Sequence, residues 1–286
     1  MLSIRTNMSS LNAQRNLTAS GGTLETSMAK LSSGMRITRA SDDAAGLGVS
    51  VNLQAQIRSY GQAQRNASDG LSVVQTGEAA LNETSNILTR LRELTMQSSS
   101  DGISNTERVF VQAETDALID ELNRIDATTE FNGTPMFGAA TPLSFQVGIR
   151  ATANDFITLD TTNVNVDSAA LGDGTNTIAD LATGGALNVE TSAAQSRSAL
   201  DVIDASLNQI SGFRSSFGAV ANRLQSVSNT IATAIENTAA ANSRVRDVDV
   251  AEETANMAKS NILQQAGVAV LAQANQQPQI ALKLLA

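Results

Sequence analysis

Two stretches of this chain, far apart in sequence, repeat apolar residues at alternating steps of four and three. Most positions of each repeat are apolar, which is the pattern of a coiled-coil seam, the strip along which one helix packs on another. The first helix would be roughly 80 Å long at about 1.5 Å per residue, and only another long helix can cover such a seam. The two repeats therefore predict one antiparallel helix pair. The predicted seam positions are Leu53, Ile57, Tyr60, Gln64, Ala67, Leu71, Val74, Glu78, Leu81, Ser85 and Leu88 in the first helix, and Ile203, Leu207, Ile210, Arg214, Phe217, Ala221, Leu224, Ser228, Ile231, Ile235 and Thr238 in the second.

A third helix is predicted beside this pair. The turn at 98–102 breaks the first long helix, and Ser104 with Glu107 three residues later is the capping-box pattern that begins a new one. Apolar residues recur at helical spacing through this segment, as at Leu118 and Leu122. We expect the helix to fold back on its predecessor, which makes the rod a three-helix bundle.

The two terminal segments are apolar but carry few charges. After Glu253 the C-terminal segment has only Lys259 and Lys283 as charged residues, whereas a helix on the surface of a globular monomer normally has a charged outer face. We expect the two segments to pair with each other and to bury their remaining apolar surface only between copies of the chain. The residues predicted to mediate this polymerisation are Leu11, Leu17, Leu24, Leu31, Leu263, Val270, Leu271, Ile280 and Leu284.

Charged residues return where each terminal segment joins the rod. Gly34 can end the first helix, and Ser41 with the acids after it can cap the next. Two interpretations stay open for these joints: the charges cap helices, or they form weak contacts that exchange partners when the packing of copies switches. The residues predicted for the joint and switch are Arg36, Asp42, Asp43, Arg246 and Asp247.

The middle of the chain, 131–190, loses helical periodicity. Residues alternate between apolar and polar at 143–147 and at 156–159 around a turn at 153–155, which predicts a β-hairpin. Val164 and Val166 are candidates for a third short strand. We expect a small, exposed insertion.

Composition argues against several functional classes. The chain has no Cys and no His, which removes thiolate and imidazole chemistry. Its net charge of −9 and its lack of a Lys or Arg cluster argue against nucleic acid and anionic membranes as partners. No phosphate-binding glycine motif, signal-peptide pattern or stretch of 18 apolar residues occurs. We predict no catalytic residue, no metal site and no cofactor, so an enzyme is the last choice.

Several motifs resemble those of bacterial flagellin, over about residues 1–150 and 190–286. The resemblance implies a subunit that polymerises into the extracellular flagellar filament, the propeller of swimming motility. It also implies export in the unfolded state by the flagellar type III apparatus without a signal peptide, and contacts with the flagellar cap, the hook–filament junction proteins and an export chaperone. The matching residues are 31–34, 42–47, Asp69-Gly70, 91–94, Phe131-Asn132-Gly133, 263–267 and 270–276.

The same resemblance implies recognition by innate immune receptors. Arg90, Leu94 and Glu114 match positions through which animal flagellin receptors bind the rod, and residues 29–50 match the peptide sensed by the plant receptor. The alternative for Arg90 and Glu114 is an ordinary surface charge pair or a contact between copies.

Two other structural classes are alternatives to flagellin. The junction protein between hook and filament has similar terminal helices, and a chemoreceptor-type signalling rod is also a long antiparallel coiled coil. The predicted fold is mainly α, a coiled-coil rod with paired terminal helices and a small hairpin insertion. The predicted segments are an inner-core helix at 1–40, rod helices at 41–130, the insertion at 131–190, a rod helix at 191–243 and an inner-core helix at 244–286.

Overall fold

Five long helices dominate the chain. The computed structural model describes the backbone of residues 7–285 and the side chains of residues 7–276, so the predicted polymerisation residues Ile280 and Leu284 lie outside the described side chains. The mainly helical prediction is confirmed. The helices are α1 (Met8–Ser33), α2 (Ala44–Ser98), α3 (Asn105–Thr128), α4 (Ala193–Arg246) and α5 (Val250–Leu285), and the strands are β1 (Glu130–Phe131), β2 (Thr134–Pro135), β3 (Leu143–Gln146) and β4 (Phe156–Leu159).

The chain divides into two compact units. One consists of Met1–Ile57 with Glu236–Ala286, and the other is Arg58–Ile235. The first contains α1 and α5, and the second contains α3, most of α2 and α4, and all four strands. Helices α2 and α4 contribute to both units because each runs without interruption past the boundary.

In the second unit, α2, α3 and α4 share one apolar core. Leu81 and Leu88 of α2, Leu122 of α3, and Ile203 and Phe217 of α4 are fully buried members of the same cluster. The capping box predicted at the start of α3 is present, with the Ser104 hydroxyl accepting from the Glu107 amide and the Glu107 carboxylate accepting from the Ser104 amide. The predicted three-helix bundle is therefore confirmed.

Half of the predicted α2 seam is confirmed, since Ala67, Val74, Leu81 and Leu88 are buried, and the alternate positions are shifted by one residue. The predicted positions Gln64, Leu71, Glu78 and Ser85 are only half-buried, whereas the residue before each is buried. Glycine explains part of the difference, because the backbone of α2 approaches Phe217 so closely at Gly77 that a side chain there would clash with the ring. A Cβ on Gly77 would lie 2.4 Å from Cε1 of Phe217. The buried α2 positions that keep heptad spacing are Ala63, Ala67, Gly70, Val74, Gly77, Leu81, Thr84, Leu88, Leu91, Thr95 and Ser98.

Four buried hydroxyl groups in this core bond to their own helices. Each of the four donates to the carbonyl oxygen four residues earlier, so no second helix is needed to satisfy it. Four such pairs are Thr84 with Ala80, Thr95 with Leu91, Thr115 with Val111, and Ser206 with Val202, at 2.7–3.0 Å.

The insertion is less exposed than predicted. The hairpin is confirmed, since β3 pairs antiparallel with β4 in a register that places Phe145 opposite Ile157. Val164 and Val166 do not form a third strand, but both are buried in the rod core. The expectation of an exposed insertion was wrong because its apolar side chains, including Leu171 and Leu181, cover the helices of the rod.

Candidate functional site: the terminal helix pair, the charged joint and the rod tip

Helices α1 and α5 pack antiparallel along a heptad seam. Near one end Asn7 Nδ2 donates to the Ala274 carbonyl at 2.8 Å, and near the other Lys30 Nζ lies 4.0 Å from Glu253 Oε2. Between these ends the helices approach closely, and a Cβ on Gly267 would lie 3.1 Å from Leu17 Cδ1. The seam residues are Ala13, Leu17, Ser20, Leu24, Ser27 and Leu31 in α1, and Glu253, Met257, Ser260, Gln264, Gly267, Leu271 and Ala274 in α5.

This seam divides the predicted polymerisation residues into two groups. Leu17, Leu24, Leu31 and Leu271 are half-buried inside the pair. They therefore serve first to hold the two helices together. Leu11, Leu263 and Val270 are instead 45%, 48% and 56% exposed, so these three are free to contact another molecule.

The outer faces of the pair are nearly uncharged, and they expose large apolar side chains among hydroxyls and amides. Over Met8–Ser33 and 250–276 the charged residues are Arg15, Glu25, Lys30, Glu252, Glu253 and Lys259. Exposed apolar side chains on a surface with so few charges make it a candidate interaction surface. Most large apolar side chains that the described residues expose belong to this unit, and on the two helices they are Met8, Leu11, Met28, Val250, Ile262, Leu263, Val268 and Val270.

Backbone hydrogen bonds join the two charged segments that were predicted as a joint. The Arg36 amide donates to the Arg246 carbonyl at 2.6 Å, and the Val248 amide donates to the Gly34 carbonyl at 3.1 Å. The Arg36 guanidinium adds a bond to the Val245 carbonyl at 2.8 Å. Gly34 ends α1 in the left-handed conformation, with φ of 70°, which glycine adopts without strain. The structure thus brings the two joints together as a short bridge of main chain.

The acidic residues of the joint cap backbone groups. Asp43 accepts from the Gly46 amide at 2.8 Å and begins α2, while Asp42 accepts from the amides of Thr38 and Arg39 and from the Thr38 hydroxyl. The Arg39 amide and then the Thr38 groups hold the pKa of Asp42 below its usual value. Among the described residues, no ion pair includes an arginine or aspartate of the joint. These contacts are those of helix and turn caps.

The predicted receptor residues lie together on the rod but differ in exposure. Arg90 donates through Nε and Nη2 to Glu114 at 2.9 and 2.7 Å and through Nη1 to Glu93 at 2.9 Å. The bond with Glu114 is the main reason that the pKa of Arg90 is raised. Arg90 and Glu114 side chains are about half-exposed, at 49% and 47%. Leu94 is only 2% exposed and packs with Val111.

A buried polar cluster at the turn between α2 and α3 was not predicted. Arg108 is 4% exposed and donates to the carbonyls of Ser98 and Ser100, which closes the C-terminus of α2 with a positive charge. Gln112 donates to the Leu181 carbonyl at 2.8 Å and accepts from the Val189 amide at 3.0 Å. The sequence did contain a signal for this cluster. The last carbonyls of a long helix lack partners within the helix, and an Arg just after the turn that follows it can bond to them.

Exposed Phe110 was also missed. It is 73% exposed on α3 beside Val109, which is 51% exposed. Phe110 lines a shallow groove with Ile103 and Glu114. Helical spacing places both residues on the outer side of α3, away from the inner row of apolar residues that predicted the bundle.

None of the helices, within the residues that the structure describes, is both long and apolar enough to cross a membrane.

Comparisons with known proteins identify the family. The family described as the bacterial flagellin N-terminal helical region matches residues 4–141, and the bacterial flagellin C-terminal helical region matches residues 200–285. The flagellin of Bacillus subtilis (strain 168) is 40% identical over 303 residues, and a flagellar filament core protein of Brachyspira hyodysenteriae is 40% identical over 293 residues. Each alignment covers 99% of both chains.

A solved structure from Vibrio parahaemolyticus, titled as a hook-associated flagellar protein, has a TM-score of 0.58 at 15% identity. It covers 72% of this chain and 100% of its own, and it shows a likeness of fold alone. The two relatives named above, which share sequence over 99% of this chain, are a flagellin and a filament core protein, as the motifs predicted. The chain therefore belongs to the bacterial flagellins.

Proposed function

We propose that the exposed faces of α1 and α5 are the surface through which this flagellin assembles. Flagellins are structural subunits of the flagellar filament, which is a polymer of their own copies. The observation that carries the proposal is the nearly uncharged outer face of the terminal helix pair, with apolar residues such as Leu263 and Val270 about half-exposed on it. Fully burying a side chain of this size contributes about 1.5–3 kcal/mol, so burying the exposed half contributes roughly half of that. A filament repeats the gain at every subunit.

The proposal separates two roles within the terminal helices. The half-buried leucines, such as Leu17 and Leu24, hold α1 against α5, and the exposed residues contact neighbouring copies. The predicted segments 1–40 and 244–286 would then be the inner-core helices of the filament. Ile280 and Leu284 are apolar in sequence, and they remain predicted polymerisation residues.

The test uses two exposed helical valines of similar exposure. Val270→Gln on α5 should raise the monomer concentration needed for seeded assembly by about tenfold or more, because a buried Gln loses the apolar gain and adds a desolvation cost. Val109→Gln on α3 is the matched control, since the two valines are 56% and 51% exposed. Deleting 265–286 should abolish assembly while the rod stays helical by circular dichroism.

Sedimentation of seeded filaments measures both variants. Equal assembly of Val270→Gln and wild type would contradict the proposal, as would normal filaments from the truncated chain. An effect of Val109→Gln as large as that of Val270→Gln would place the main contact on the rod instead.

The proposal extends to the route and partners of assembly. Export through the flagellar type III apparatus, an export chaperone, and contacts with the cap and the hook–filament junction proteins are supported by membership of the flagellin family. Receptor recognition at Arg90 and Glu114 is supported by their half-exposed ion pair, with Leu94 lining the same groove as Glu114. A switch at the joint is supported by the main-chain bridge, in which Arg36 and Arg246 lie directly across from each other.

A further inference from the structure

Two of the exposed apolar side chains on α1 are methionines. Met8 is 58% exposed and Met28 is 57% exposed. Met28 lies one position after the buried seam residue Ser27, so it flanks the contact between α1 and α5 and faces outward. The two thioethers and Leu11 are the large apolar side chains that the described part of α1 exposes.

The rest of the chain supplies internal comparisons. Met96 is 51% exposed on α2, whereas Met136 is fully buried in the rod core. A peroxide reaches a thioether only where its sulfur is accessible. The structure therefore divides these four methionines into reactive and protected positions. Of the methionines exposed among the described residues, Met8 and Met28 lie on the terminal helices, whereas Met257 is half-buried in the seam between α1 and α5.

The chemistry at such a position is a two-electron oxidation. A lone pair of the thioether sulfur attacks one oxygen of hydrogen peroxide, the S–O bond forms, and the O–O bond breaks. The sulfur is oxidised to a sulfoxide and the peroxide is reduced to water. The product replaces a flexible apolar side chain by a polar one.

We propose that Met8 and Met28 form an oxidation-sensitive site that controls assembly. In the free subunit both side chains face solvent, so the sulfoxide is tolerated. Between copies the sulfoxide oxygen would be buried without a hydrogen-bond donor, and the free-energy cost of removing it from water opposes assembly. Subunits oxidised before they are incorporated are therefore excluded from the filament. This inference rests on the proposed assembly through α1 and α5.

The effect should be measurable as a change in assembly. Loss of the apolar contribution of one methionine corresponds to roughly a tenfold or greater rise in the monomer concentration required for seeded growth. Purified full-length monomer is treated with hydrogen peroxide, the peroxide is removed, and each methionine is assayed by peptide mass spectrometry. Seeded assembly is then followed by sedimentation.

Two leucine variants localise the effect. Met8→Leu with Met28→Leu keeps side-chain volume and apolarity, and after peroxide treatment it should assemble like the untreated protein. Met96→Leu keeps both α1 thioethers and should lose assembly on oxidation as the wild type does. Met136 should remain unoxidised, which reports that the rod stayed folded during treatment.

Three results would overturn the inference. The first is normal assembly of wild type in which Met8 and Met28 are confirmed as sulfoxides. The second is a loss of assembly on oxidation of the double leucine variant that equals the loss of the wild type. The third is resistance of the α1 methionines to peroxide under conditions in which Met96 reacts. Each of these leaves the proposed assembly surface intact, because that proposal is tested by unoxidised Val270→Gln. Normal assembly of unoxidised Val270→Gln would instead refute the surface itself.

Discussion

Gly77 makes room for the ring of Phe217, and adding one methyl group there should destabilise the rod. An ideal Cβ at Gly77 would lie 2.4 Å from Cε1 of Phe217, with two further ring atoms at 3.2 and 3.3 Å. Phe217 is fully buried, so its ring cannot swing into solvent. Overpacking of this kind costs about 1–3 kcal/mol.

Helix propensity acts in the opposite direction. Replacing Gly by Ala inside a helix stabilises by about 1 kcal/mol, so Gly77→Ala should have a net cost between zero and about 2 kcal/mol. Gly212→Ala is the matched control, because a Cβ at Gly212 in α4 meets no atom within 4 Å. The free energy of unfolding of that variant should rise by the full contribution of helix propensity, about 1 kcal/mol. The two variants should therefore differ by about 1–3 kcal/mol.

Urea unfolding of the monomer, followed by far-ultraviolet circular dichroism, measures the difference. Gly77→Ala should unfold at a lower midpoint than Gly212→Ala. Adding Phe217→Leu should cost less in the Gly77→Ala background than in the wild type, because the smaller side chain relieves the clash. Equal midpoints for the two alanine variants, with no coupling to residue 217, would refute the packing argument.

Three further predictions concern the joint, the rod surface and pH. Asp43→Ala or Asp247→Ala should change the helical form of filaments, as seen by electron cryomicroscopy, while the melting temperature of the monomer changes little. A lower melting temperature with unaltered filaments would leave only the capping role. Alanine at both Arg90 and Leu94 should reduce signalling by monomer in an animal flagellin-receptor reporter assay, and unchanged signalling would exclude that site. Burial raises the pKa of Asp126; the negative charge of Asp167 adds to this shift, and the hydrogen bond from the Val166 amide opposes it. The folded state therefore favours the protonated carboxyl, and its free energy of unfolding falls as the pH rises and this carboxyl must ionise. Asp126→Asn should raise the melting temperature at pH about 7 and have no such effect below about pH 4, where the carboxyl is protonated in both states.

The sequence predicted the helices well because their signals are local. The capping box of Ser104 and Glu107 and the left-handed Gly34 depend only on neighbouring residues, and both appear where expected. The hairpin was also predicted correctly, since its alternation and turn are contained within 143–159.

The row of each helix that faces its partner could not be predicted as well. Leu71 looked like a better seam residue than Gly70, yet Gly70 is buried because Phe145 of the hairpin lies against it. The identity of that distant partner cannot be read from the periodicity of α2. The burial of Arg108 and Val166 depends in the same way on segments far away in sequence.

The pairing of the terminal helices was predicted, but the residues that form it were not distinguished from those left for other copies. Leu17, Leu24 and Leu31 recur every seven residues, and the sequence does not say whether such a row faces α5 or another molecule. The structure uses it for the contact between α1 and α5 within one chain. The irregularly placed residues, such as Leu11 and Met28, are the ones that remain exposed.

Thr84 of α2 and Ser206 of α4 are buried hydroxyls that bond to their own helices, and this affects how the bundle can deform. A lengthwise displacement of α2 against α4 would leave both bonds intact, because both ends of each bond travel with the same helix. Such a displacement would instead be resisted by the ring of Phe217 packed against Gly77. Two polar links between the helices also resist it: the ion pair of Arg92 with Asp204 and the hydrogen bond that Ser196 donates to the Ser98 hydroxyl. These contacts, and not the hydroxyls of Thr84 and Ser206, set the offset of α2 along α4.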